Sequence, residues 1–199
     1  MTPEEDAMPQ LVDWPGRMKE MAEFMGVSQS DLDLVQTTAP LVLKHATALT
    51  DGVYNHFLKF PDARQFFLAE SGEVDQAQLA RRKHSLVRWL RNAIDFKLEE
   101  DFPIYLLAIG VSHSHPPAHR AHLGSIPSRF MIGTISFAQT AVAEVLRQEM
   151  SDLDQAVRAA AAWNKLLMVQ LDVLLAGYVT ETPSPPKVGH RASESTENF

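Results

Sequence analysis

The residues with the clearest chemical potential lie in the segment Ile109-Gly110-Val111-Ser112-His113. In a helix, this histidine would share one face with residues seven, four and three positions earlier, which are Leu106, Ile109 and Gly110. A titratable imidazole would then end an apolar stripe. Glycine costs a helix about 1 kcal/mol relative to alanine, so Gly110 suggests that something approaches the backbone closely. A flat, bulky ligand held by the imidazole fits this pattern, and our first hypothesis is that His113 is the axial ligand of a haem.

Three further histidines follow His113 in a segment, residues 114–126, whose prolines and glycine predict a loop. With His113 they form a His-x-His-x3-His-x2-His cluster that could bind zinc or nickel on its own. The alternative is a set of solvated loop histidines, because the cluster contains a proline pair and no carboxylate. In a helix, the first of them would face away from the apolar stripe. The three are His115, His119 and His122.

The rest of the chain predicts an all-α domain that positions these groups. It has 199 residues, 45% of them hydrophobic, which is enough for one core. Strand signals are nearly absent, whereas helical periodicity is common and predicts about seven or eight helices, the last two long. We expect an N-terminal extension with a short helix over 1–27, the main domain over 28–180 and a disordered tail over 181–199.

Turn and cap signals predict where the first helices begin and end. Trp14-Pro15-Gly16 has the composition of a turn, so the first helix is expected after it. Ser28, with an acidic residue three positions later, predicts the N-cap of the next helix. Pro40 should kink that helix or separate it from a second helical stretch over 41–59.

Composition excludes several classes of function. The chain has no cysteine, which rules out disulfides, thiolate metal sites and a cysteine nucleophile. A net charge of −7 argues against nucleic-acid binding as the main activity. The most apolar segment, residues 166–179, carries polar interruptions and is too short to span a bilayer. The acidic N-terminus lacks a secretory signal, so we expect a cytoplasmic protein without a membrane partner.

Four motifs together resemble the protoglobin and globin-coupled sensor lineage. Residues 109–113 match its Ile-Gly-x-x-His signature, whose histidine is the proximal haem ligand. Residues 126–133 are similar to the Leu-Pro-x-Arg-Trp-Tyr-Ile-Gly segment that follows it in the sensors. Residues 53–57 with a later proline look like the distal-tyrosine helix, and Arg88-Trp89 looks like the Arg-Trp pair of the distal helix. Their order and spacing agree over roughly residues 28 to 180.

This resemblance implies a globin fold of the protoglobin type, with an extra N-terminal helix, holding haem b on His113. Tyr54 would be the distal residue, donating a hydrogen bond to a gas ligand, although a half-buried core tyrosine is the alternative. The chain departs from protoglobins where Val53 replaces a tryptophan and Leu86 replaces a phenylalanine, and both changes shrink side chains over the haem. The remaining residues proposed for the pocket are equally compatible with ordinary core positions. They are Phe67, Ile109, Phe130 and Phe137.

The helix predicted before the Ile-Gly-x-x-His signature carries four arginines, whose role has two possible interpretations. They could meet the haem propionates, or they could form a solvated helix face. They are Arg81, Arg82, Arg88 and Arg91.

The function implied by the resemblance is reversible binding of O2, CO or NO at a five-coordinate iron, by a sensor or carrier. The last two helices would form a homodimer surface, and sensing would need a separate transducer. One alternative is a haem enzyme acting on NO, nitrite or peroxide with an external reductase. Another is a haemless globin-fold signalling module, which the retained signature histidine argues against.

Overall fold

The computed structural model describes residues 12–69, 71–95 and 101–179. In this part of the chain the only β feature is an isolated bridge between Leu68 and Val74. The predicted all-α fold is therefore confirmed. The described residues form eight α-helices, which are α1 (Trp14–Phe24), α2 (Gln29–Lys44), α3 (Ala46–Phe57), α4 (Pro61–Arg64), α5 (Gln76–Asp95), α6 (Phe102–Ser114), α7 (Ser128–Glu149) and α8 (Leu153–Ala176). Short 3-10 helices follow α4, over Gln65–Phe67, and α6, over Ala118–Leu123.

Helix α1 begins inside the segment that predicted a turn. The side chain of Asp13 accepts a hydrogen bond from the backbone N–H of Gly16 at 3.0 Å and caps the helix. Pro15 is tolerated in this first turn because the amides there have no acceptor within the helix. The prediction of a turn before the helix is wrong, since the same residue types also suit a helix start.

Helix α2 begins where the sequence predicted and ends later. Ser28 forms a capping box with the carboxylate three residues later, which confirms the predicted N-cap. Pro40 lies inside the helix, and the boundary with α3 falls at His45 instead. The buried face continues on both sides of the proline, with Val35 and Val42 almost inaccessible to solvent. Packing on both sides holds the helix together despite the missing hydrogen bond.

Helix α8 is the centre of the domain, packed against α1, α2, α6 and α7. Its length and mean hydropathy of 1.3 would suit a membrane span, but 61% of that stretch is buried inside the domain. The fully buried Trp163 donates a hydrogen bond from Nε1 to Oγ1 of Thr38 at 2.9 Å, which joins α8 to α2. The apolar residues of α8 therefore form the core of the fold.

Helix α1 shares this core. Met18 is fully buried, and Arg17 makes two hydrogen bonds to the carboxylate of Asp172, at 2.8 and 2.9 Å. Lys165 of α8 also contacts the carbonyl of Gly26, at 2.8 Å, just after α1. The N-terminal helix is thus fixed to α8 by burial and by charge-assisted hydrogen bonds.

Helix α6 crosses the C-terminal end of α8 at two glycines. A Cβ on Gly110 would overlap the carbonyl oxygen of Leu174 and lie 3.3 Å from the Cα of Gly177. A Cβ on Gly177 would lie 2.6 Å from the carbonyl carbon of Gly110. The close approach to the backbone that the sequence suggested at Gly110 is therefore confirmed, but the approaching group is not a ligand. This glycine admits the backbone of α8, whereas the sequence suggested that it admits a ligand.

We expect Gly110→Ala to lower the free energy of unfolding by about 1–3 kcal/mol, because the added methyl group overpacks a backbone contact. Gly133→Ala is the control, since a Cβ there meets no atom within 4 Å and alanine favours the helix. Denaturant unfolding of both variants checks this expectation. Equal stability of the two variants would contradict the assigned role of Gly110.

Candidate functional site

A cavity of about 310 Å³ lies between α3, α5, α6 and α7, with the 3-10 turn after α4 and one residue of α8 completing its walls. This volume falls in the range of about 300–1,000 Å³ that is typical of small-molecule pockets. The structure brings seven of the eight predicted site residues to it. They are Val53, Tyr54, Phe67, Leu86, Ile109, His113 and Phe130.

His113 lies in the last turn of α6, with its Nδ1 atom 2.8 Å from the carbonyl oxygen of Ile109. Because a carbonyl only accepts, this contact assigns the proton to Nδ1 and leaves the lone pair of Nε2 available for a metal. Burial lowers the pKa of His113, and the hydrogen bond to Ile109 partly opposes this effect. The ring is consequently held in the neutral state that metal coordination requires.

The face of α6 that borders the cavity differs from the predicted stripe by a small rotation. Tyr105, Ile109 and His113 line the cavity at helical spacing of four residues. Leu106 is fully buried in the core, and Gly110 meets α8. The prediction that these two share the ligand-facing side of His113 is therefore wrong, since the packing of α6 on α8 sets its rotation.

Tyr54 of α3 is buried, with its ring edge-on to Phe67 at a centroid distance of 5.6 Å and to Phe57 at 5.9 Å. Its hydroxyl has no hydrogen-bond partner among the described residues, and burial alone raises its pKa. The phenol therefore stays protonated at neutral pH. It can donate a hydrogen bond to a molecule in the cavity.

Helix α5 presents both apolar and cationic side chains to the cavity. Leu86 lines the apolar side, and Arg82 and Arg88 also border the cavity. Arg81 and Arg91 are exposed and do not line it. The arginines that the sequence left undivided thus separate into two pairs. The half-buried Arg82 and the exposed Arg88 border the cavity, whereas Arg81 and Arg91 do not.

Phe137 is the one predicted pocket residue that the structure does not bring to the cavity. Its ring lies 5.6 Å from the ring of His56, and it would contact a Cβ on Gly52. Phe130 and Phe137 share a face of α7, but they are separated by about 10 Å along the helix axis. The position of Phe137 along α7 places it against α3 instead.

His115 and His122 do not converge on a metal site in the described part of the chain, and the side chain of His119 lies outside it. His115 ends α6 and is exposed, with Nδ1 at 2.8 Å from the hydroxyl of Ser114. His122 is also exposed. Within the described residues, no group of three or more His, Asp or Glu side chains could hold a metal ion. The zinc or nickel alternative finds no support there.

Sequence reasoning missed several residues of the cavity wall. On α7, three of them lie one, four and five residues after Phe130, which is the spacing of a helical stripe. Periodicity around Phe130 could therefore have indicated them, but it would not have distinguished a cavity from ordinary core. They are Met131, Thr134 and Ile135.

The cavity residues fit a haem. A neutral imidazole is available as a ligand, and most of the wall is apolar. No carboxylate in the described part of the chain lines the cavity to repel an acidic group. The arginines of α5 add positive charge at one side.

Solved structures share this fold. The globin domain of the Geobacter sulfurreducens globin-coupled sensor matches with a TM-score of 0.64 and 17% identity, covering 81% of this chain and 97% of that chain. The globin domain of E. coli DosC, in a ferric form, matches with a TM-score of 0.61 and 16% identity, covering 80% of this chain and 97% of that chain. The predicted globin fold is confirmed by these likenesses, which at such identities concern the fold alone.

A search of the curated proteins finds no match. The sequence does match the protoglobin family model over residues 15–184, and this range includes α1 as well as the cavity helices. The signature histidine, the glycine crossing and the globin architecture thus occur together in a chain that belongs to the protoglobin family.

Proposed function

We propose that this protoglobin holds haem b through His113 and reversibly binds a diatomic gas, O2, CO or NO, in the cavity. The observation that carries the proposal is the imidazole itself. Its Nδ1 atom is fixed by the carbonyl of Ile109, so that Nε2 remains free in a largely apolar cavity. Such a backbone hydrogen bond is the usual way in which a metal-ligating histidine is oriented.

When bound, haem supplies an iron with one coordination position left for the gas. The residues of the chain orient the group and control what surrounds it. His113 would hold the iron, while Val53, Phe67 and Leu86, which line the cavity, would limit the access of water to it. The protonated hydroxyl of Tyr54 offers a hydrogen bond to a gas molecule that carries partial negative charge.

A sensory role is the version of this function that we favour. One of the two solved structures reported above is the globin domain of a globin-coupled sensor. By analogy, the gas-bound state of this chain would be read by a separate transducer. An external reductase would instead be needed if the same site acted on NO, nitrite or peroxide.

Absorption spectra of the purified protein, supplemented with haem, test the ligand assignment. We expect a Soret band that shifts on reduction and again on addition of CO. His113→Ala should lose the haem or its normal coordination, whereas His115→Ala, in the same turn but exposed, should keep both. A featureless Soret region in the wild type would refute haem binding, and the opposite behaviour of the two variants would refute the assignment of His113.

Replacing Tyr54 tests the proposed hydrogen bond. Tyr54→Phe keeps the ring that packs on Phe67 and removes only the hydroxyl. A hydrogen bond of about 1–3 kcal/mol corresponds to O2 release about ten- to a hundredfold faster in the variant, measured by stopped-flow absorbance. CO, which gains less from a hydrogen bond, is the internal control. An unchanged rate of O2 release would remove Tyr54 from the mechanism.

We also propose a homodimer through α7 and α8. The supporting feature is an exposed apolar pair on α8, one turn apart, in which Leu153 is 59% and Val157 is 69% exposed. Val157→Glu should convert the dimer to a monomer in sedimentation velocity experiments. Ile104→Glu, at a 51% exposed position on α6, should not. A monomeric wild type, or equal dissociation of both variants, would contradict this interface.

A further inference from the structure

The cavity has two cationic residues on a single helix, and the function proposed above does not use them. Arg82 and Arg88 of α5 both line it, and among the described residues no Asp or Glu side chain does. The hydroxyl of Ser85, between them, donates to the carbonyl of Arg81 at 3.0 Å. On this side of the cavity, the indole N–H of Trp89 also has no partner among the described residues, and the two guanidinium groups are the donors that carry a positive charge for an anion.

Neither guanidinium is paired with a carboxylate of the described residues. The neighbouring cation, Lys83, differs in this respect, because it donates to Asp51 of α3 at 2.7 Å. The chain as a whole has a net charge of −7, so acidic partners are in excess elsewhere. Cations left without a partner beside an apolar cavity favour an anionic ligand. The attraction is screened less at the half-buried Arg82 than at the exposed Arg88.

The spacing of the two arginines indicates what kind of anion they would bind. Positions 82 and 88 are six residues apart, which corresponds to about 9 Å along the axis of α5. Two long side chains at that separation can each bind one carboxylate on the same edge of a flat molecule. Between them, Leu86 presents an apolar surface to the cavity. Two arginines with an apolar side chain between them suit a ligand that is apolar except for two acidic groups at one edge.

We propose that Arg82 and Arg88 bind the propionate carboxylates of the haem. This inference rests on the haem-binding function proposed above, and it assigns the α5 side of the cavity to the acidic edge of the group. Arg81 and Arg91 of the same helix have no part in it. The guanidinium groups provide charge-assisted hydrogen bonds that contribute to haem retention.

A comparison of two double variants and two cofactors tests this assignment. Arg82→Gln/Arg88→Gln removes the lining pair, and Arg81→Gln/Arg91→Gln removes the exposed pair, so that both variants lose the same charge. Each protein, and the wild type, is loaded with haem b or with its dimethyl ester, in which both carboxylates are neutral. The rate at which each group is lost to an excess of apomyoglobin is followed by absorbance.

We expect the lining variant to lose haem b about ten- to a hundredfold faster than the wild type. The exposed-pair variant should lose it at the wild-type rate. The dimethyl ester should leave all three proteins at similar rates, because it offers no carboxylate for the arginines to bind. Circular dichroism establishes that the variants fold, and Arg88→Gln alone, at the more exposed position, serves if the double variant does not.

Three results would overturn the inference. Equal loss of haem b from the two double variants would assign the arginines to a solvated helix face. Faster loss of the ester as well as the acid from the lining variant would indicate a packing role. If the wild type retained acid and ester equally, the arginines would not bind the propionates, and a free anion such as phosphate would be the remaining ligand. By contrast, a wild type that binds neither compound would refute the haem function itself, and the two failures are therefore distinguishable.

Discussion

The burial of α8 is the constraint on which the rest of this structure depends. Four other helices lie against it, and Trp163 at its centre is fully enclosed and hydrogen-bonded to Thr38. Helices that pack on one central helix must follow its surface, so each of them has little freedom to rotate. The direction of the imidazole of His113 is therefore determined by how α6 fits against α8.

The interior of the cavity disfavours charge. Burial lowers the pKa of His113 and raises the pKa of Tyr54, and both shifts favour the uncharged form of the group. A neutral imidazole and a protonated phenol are what a metal ligand and a hydrogen-bond donor require. Positive charge is provided at the α5 side instead, by Arg82 and Arg88. The neutral groups and the charged groups thus lie on different helices around one cavity.

Local signals in the sequence predicted what depends on a few neighbouring residues. The cap at Ser28 was predictable because the cap is made within one turn of helix. Helical spacing and the family resemblance brought His113 and Tyr54 to a common pocket, and the structure places them in one cavity. The role of each residue toward a ligand stays a prediction, since it concerns a group that the protein would bind.

What the sequence could not supply depends on contacts between distant elements. Gly110 is a glycine because the backbone of α8 lies too close to allow a Cβ. The contacting residues of α8 are more than sixty positions away in the chain. Phe137 lies too far along α7 to reach the cavity, which is apparent only once α3 is packed beside it. The helix also continues through Pro40, because tertiary burial outweighs local propensity. In each case the residue type was interpreted without the residue that it contacts in the folded protein, which the sequence does not show.

The crossing of α6 and α8 has a mechanical consequence. At this point backbone meets backbone, so no side chain is present that could change rotamer and absorb a small displacement. Ser114, the residue after the histidine, also donates a hydrogen bond to the carbonyl of Gly177 at the end of α8. If the imidazole moved along the axis of α6, the last turn of α8 would therefore have to move with it.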